Sequence, residues 1–101
     1  MENYNKLVWD NIPQILDEKG VSYEKRIASP EEYRAELIKK LAEEVTEFTE
    51  ANGDVGELAD VLEVIEALRK LPEYQVVEEL RLKKQAERGG FDQRIILKGE
   101  K

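Results

Sequence analysis

Residues 43–60 decide how this chain is read. They run Glu43-Glu44-Val45-Thr46-Glu47, then a polar break at Asn52-Gly53-Asp54, then Glu57-Leu58-Ala59-Asp60. This is an E-E-x-x-E followed by an E-x-x-D, set on two consecutive predicted helices. The expectation is that four of these carboxylates face one another across a helical hairpin and hold a divalent metal.

Helix geometry carries the argument. Each helical residue turns its side chain by about 100°. On the first helix Leu37, Leu41, Val45 and Phe48 form one apolar stripe. Glu44 lies about 60° from Leu41 and Glu47 about 120°, on the same side, with Glu43 further round. On the second helix the stripe is Leu58, Val61, Val64, Ile65, Leu68 and Leu71. Glu57 falls about 40° from Val61 and Asp60 about 100° from it, while Glu63, Glu66 and Lys70 take the opposite side.

A Glu inside an apolar arc must be paired, protonated or metal-bound. No Lys or Arg shares the arc of Glu57 at neighbouring positions, so pairing with cations looks insufficient. Two carboxylates about 5 Å apart repel by roughly 3 kcal/mol at an effective dielectric near 20. A hard divalent cation cancels that repulsion, and oxygen-only ligands suit Mg²⁺ or Mn²⁺. For Glu43 alone an ordinary solvated face is the better reading. Glu57 is wrongly placed for one.

The rest of the composition narrows the chemistry. A chain of 101 residues suits a single domain, here spanning 1–101, with a modest core that favours association. The net charge of −7, from 23 acidic and 16 basic residues, argues against non-specific nucleic-acid binding. With no cysteine and no histidine, disulfides, thiolate or imidazole metal sites and His-based catalysis are excluded. No apolar run reaches membrane-spanning length and no signal peptide is visible, so the expectation is a cytoplasmic protein with no membrane partner.

Taken in order, Tyr4 to Trp9 reads as extended. Asp10 can cap a helix over about Asn11 to Lys19, which Gly20 ends. Val21 to Ile27 alternates like a strand. Ser29-Pro30-Glu31-Glu32 is a strong helix start, with Glu32 placed to complete a capping box. That helix runs to about Ala51, and Asp54 can cap the next. The turn between them is short enough to make the pair antiparallel. Leu71-Pro72 ends the second long helix. A third covers about Glu73 to Arg88, stopped by Gly89-Gly90, and Arg94 to Lys98 is a candidate strand. Lys83, Lys84 and Arg88 ahead of the two glycines are candidate phosphate groups. Alone they would read as basic residues favouring a helix C-terminus.

These residues together resemble a known family. The Glu43-Glu44-x-x-Glu47 and Glu57-x-x-Asp60 pair is similar to the signature of the all-alpha NTP pyrophosphatase superfamily, the MazG-like proteins. Tyr4-Asn5-Lys6-Leu7-Val8 with Asp10 and Ile12-Pro13, and Arg88-Gly89-Gly90-Phe91, resemble the two ends of a small branch described as phosphoribosyl-ATP pyrophosphohydrolase-like. The resemblance implies a mainly α fold, an antiparallel helical bundle with minor β segments near the termini. It implies a Mg²⁺-dependent enzyme (Mn²⁺ being the alternative ion) that cleaves a nucleoside triphosphate or phosphoribosyl-ATP to the monophosphate and pyrophosphate. By similarity Glu44, Glu47, Glu57 and Asp60 are metal ligands. Glu43 and Glu47 serve catalysis by positioning or activating water, and Lys6, Lys84 and Arg88 contact phosphate. Trp9 departs from the pattern, standing where the branch usually carries Arg, and Trp cannot grip phosphate in a bidentate way. A homodimer or homotetramer is expected. The competing expectations are a non-catalytic helical oligomerisation module with a structural metal, and a plain acidic bundle without one.

Overall fold

Ser29 and Pro30 start the longest helix as their chemistry dictates. The Ser29 hydroxyl accepts the Glu32 N–H at 3.2 Å, and Pro30 occupies the first helical position. The Glu32 carboxylate does not reach back to complete a capping box. It takes both arms of the Arg26 guanidinium, each at 2.5 Å. In this computed structural model, which describes residues 5–100, the elements are α1 (Ile12–Glu18), α2 (Pro30–Glu50), α3 (Val55–Arg69), a 3-10 turn (Pro72–Tyr74) and α4 (Val77–Arg88).

The connection between α2 and α3 is four residues long, 51–54, and it is built by backbone chemistry. Asn52 and Gly53 both take positive φ, 55° and 78°. Gly53 N–H reaches back to Phe48 O and Asn52 N–H to Thr49 O, the double bond of a Schellman stop. Asp54 then caps α3, its Oδ2 accepting from Gly56 N–H at 3.0 Å and Glu57 N–H at 3.3 Å. The reversal folds α3 back on α2, so residues near the end of α2 meet residues near the start of α3. This is the one extensive helix–helix interface among the described residues.

Leu37, Val61 and Val64 form the buried core of that interface, and the fourth buried residue is Glu44. The expected stripes are covered on one side only. Val45 remains 45% exposed and Leu58 42% exposed. One neighbouring helix shields an arc narrower than the stripe, and among the described residues no third helix packs extensively on the remainder.

The end of α3 is held by Gln75, whose side-chain amide donates to the carbonyls of Arg69, Lys70 and Leu71. These are C-terminal acceptors that the helix cannot satisfy itself. The expected helix over Glu73 to Arg88 is therefore divided. Residues 72–74 form a 3-10 turn, and α4 starts only at Val77. Arg69 bridges to Glu78 at 3.0 Å, and Arg34 of α2 stands over the Tyr74 ring at 5.6 Å.

No strand forms among the described residues. Residues 21–27 and 94–98 lack regular structure, because neither finds a partner ladder. Tyr4, the first residue of the N-terminal extended segment, lies outside the described residues. Ile27, Ile96 and Leu97 are almost fully exposed. The radius of gyration is 17.9 Å, against about 13 Å for a compact chain of this length. No helix is long and apolar enough to cross a membrane.

Candidate metal centre

The hairpin brings three of the sequence-predicted carboxylates together. Glu44 comes from α2, and Glu57 and Asp60 from the first two turns of α3. Each offers an oxygen lying within 4.8 Å of the others. Asp54 sets this geometry by fixing the first turn of α3 around Glu57, whose N–H it accepts. Gly56 gives the cap room, since a Cβ there would lie 3.1 Å from Asp54 Oδ2.

The site is buried on the side of α2. Glu44 is only 6% exposed, while Glu57 and Asp60 are half-buried. Glu44 Oε2 and Glu57 Oε2 are both buried without a hydrogen-bond partner. Two orphaned carboxylate oxygens in one place are costly in a protein interior. Burial raises the Glu44 pKa above the usual carboxylate range, and the neighbouring Glu47 carboxyl raises it further, while Lys40 pulls it down.

These residues fit a divalent cation. The donor set is all oxygen, as hard cations prefer. A cation about 2.1–2.5 Å from each donor keeps its ligand oxygens within roughly 4–5 Å of one another, the spacing seen across Glu44, Glu57 and Asp60. The Glu-Glu-Asp group can therefore hold a metal ion.

Glu47 is exposed beside Glu44 and outside the three-residue group. With Glu43 it lines a shallow open groove along α2, together with Lys39, Ala42 and Thr46. Lys84 and Arg88 are exposed on α4, and Lys6 is exposed in the segment before α1. Trp9 is about half exposed.

Sequence reasoning missed one residue of the site. Lys40, one turn before Glu44 on α2, places its Nζ 3.4 Å from Glu44 Oε1, with both side chains largely buried. The expectation that no cation shares the arc of Glu57 concerned α3 and said nothing of α2. The i, i+4 spacing of Lys40 and Glu44 is the signal that finds it.

No protein-family model, curated protein or solved structure matches the chain. The family resemblance stands on the motifs alone.

Proposed function

We propose that the chain is a Mg²⁺-dependent nucleotide pyrophosphohydrolase of the MazG-like type, hydrolysing a nucleoside triphosphate or phosphoribosyl-ATP to the monophosphate and pyrophosphate. The observation that carries this reading is the pair of orphaned oxygens, Glu44 Oε2 and Glu57 Oε2, in a cluster completed by Asp60. The motif resemblance supplies the reaction.

Glu44, Glu57 and Asp60 would hold the cation, with Glu47 adjacent to Glu44 as a further donor. When bound, a divalent cation neutralises triphosphate charge and polarises water. Glu43 and Glu47, on their shared groove, accept the proton of the attacking water. Lys84, Arg88 and Lys6 meet the phosphates. Water adds at phosphorus, the α–β phosphoanhydride bond breaks, and pyrophosphate leaves.

The active form in this proposal is a homo-oligomer, at minimum a dimer, in which a second copy completes the helical bundle. Val76, Val77 and Leu80 present one apolar face at the start of α4, and the chain is too extended for its length to bury that face itself. The same exposed faces favour the second reading, a non-catalytic oligomerisation module that keeps a structural metal. Pyrophosphate release from a panel of nucleoside triphosphates, with and without Mg²⁺, separates them. Metal-dependent release is expected, and metal binding without turnover across a broad panel would overturn the enzyme in favour of the module.

A further inference from the structure

Three carboxylates and one ammonium share the centre of the hairpin. Glu44, Glu57 and Asp60 carry three negative charges when ionised. Lys40 brings one positive charge, held 3.4 Å from Glu44 Oε1. The side chains of Lys40 and Glu44 are 13% and 8% exposed, so this is not the usual solvated i, i+4 pair of a helix surface, where such contacts contribute little. A largely buried ammonium is costly unless it answers a buried charge.

Lys40 answers only part of that charge. Its contact is with one oxygen of Glu44, while Glu44 Oε2 and Glu57 Oε2 remain without partners. Within the three-residue group the charge left over is two units negative, the complement of a divalent cation, with the exposed Glu47 carboxyl outside the group. An ammonium has three donors and no acceptor, so Lys40 cannot itself become a ligand. It can only share Glu44 with the cation or give it up. Two cations beside one carboxylate repel strongly in a partly buried site. The flexible four-carbon stem of Lys gives the ammonium freedom to swing away.

We propose that Lys40 is the resident counter-ion of this centre: its ammonium holds Glu44 in the metal-free protein, competes with the divalent cation for that carboxylate, and leaves it when the cation binds. This rests on the metal centre described under Proposed function. In this scheme Lys40 is a positioning residue that sets the affinity threshold of the site. It holds Glu44 in place before loading, at the cost of weaker cation binding.

The test uses the full chain and the metal alone. Calorimetric titration with Mn²⁺ is run on the wild type and on Lys40→Met, which keeps the apolar stem and removes the charge. The variant is expected to bind Mn²⁺ about tenfold more tightly or better, because the competitor is gone. Equal or weaker binding by the variant overturns the inference and leaves the metal centre standing. No binding by either protein overturns the metal centre and the inference with it. A second measurement needs no variant beyond one for assignment. The Lys40 side-chain resonances of ¹³C-labelled wild type are followed as Mg²⁺ is added, and they should shift with the same saturation curve as the backbone amides of Glu44 and Glu57. Lys40 resonances that stay fixed while those amides titrate would show that the ammonium never leaves, against the proposal.

Discussion

The α2–α3 hairpin and the segments flanking it are built to different standards. In the hairpin the ends are closed by specific chemistry: Ser29 and Asp54 at the N-termini, the Asn52-Gly53 stop between the helices, and the Gln75 amide at the far end. The four residues buried among those described, Leu37, Glu44, Val61 and Val64, all belong to it. Helices α1 and α4 bury no residue, and neither has a side-chain N-cap. The difference teaches where the order is concentrated. The part that holds the carboxylates has closed helix ends and a buried core, whereas the flanks carry apolar surface that this chain leaves exposed.

The sharpest way to break this comparison is at Glu57. If the hairpin exists to hold a metal, Glu57→Gln should lower turnover by on the order of a hundredfold or more, since it removes a ligand. Metal-free stability should stay level or rise, because the substitution keeps the shape and removes a repelling charge. If Glu57 were half of a structural ion pair, the same change would cost roughly 3–5 kcal/mol. Urea melts in EDTA beside an activity assay decide, and a strongly destabilised variant that is still metal-activated would show that Glu57 is no ligand.

The flanks make the next prediction. Leu80→Glu places a charge in the apolar face of Val76, Val77 and Leu80 on α4. Light scattering at micromolar concentration should give a dimer or tetramer for the wild type and a smaller species for the variant. A monomeric wild type would mean the flanks are simply unfilled surface.

Metal should then act on the hairpin and not on the flanks. A ligand that binds only the folded state at about a hundredfold above its Kd adds about 2.7 kcal/mol. In a domain of this size that corresponds to a rise in Tm on the order of 10 °C. Scanning calorimetry with millimolar Mg²⁺ checks it, and no shift would remove the metal centre.

How far the sequence was legible follows the same division. Ser29-Pro30, Asn52-Gly53-Asp54 and Leu71-Pro72 announce their breaks through local backbone chemistry, so the hairpin was readable almost to the residue. Glu44, Glu57 and Asp60 were placed by helical angle alone, because one helix packed on another converts angle into depth. The misses have other causes. Residues 21–27 alternate like a strand and 94–98 form a short apolar run, yet a strand exists only with a partner, which local pattern does not supply. Val45 and Leu58 share their stripes with buried residues but lie beyond the reach of a single neighbour. Lys40 is the other miss: the search for a cation concerned the arc of Glu57 on α3, while Lys40 pairs with Glu44 one turn along α2.

The smallest expected effect tests whether the entry to α2 belongs to the well-built frame or to its margins. Arg26 sits before the helix, and its guanidinium forks onto Glu32 in the first turn. That hydrogen bond, with the charge of Arg26 behind it, lowers the Glu32 pKa below its ordinary value, with partial burial opposing. A carboxylate whose pKa is lower folded than unfolded binds fewer protons in the native state. Its contribution is therefore fully present above the unfolded value, near 4.5, and is lost as pH falls through the depressed folded value. Removing the guanidinium should abolish that slope. Urea midpoints of the wild type and Arg26→Gln, measured from pH 7 down to the acid limit of folding, should differ by a small amount at neutral pH and converge as pH falls through the depressed folded value of Glu32. Because the pair is solvent-exposed, the gap should also shrink in high salt. A gap that stays constant across the pH range would mean that Arg26 acts through its stem packing and not its charge. The N-terminus of α2 would then rest on Ser29 and Pro30 alone.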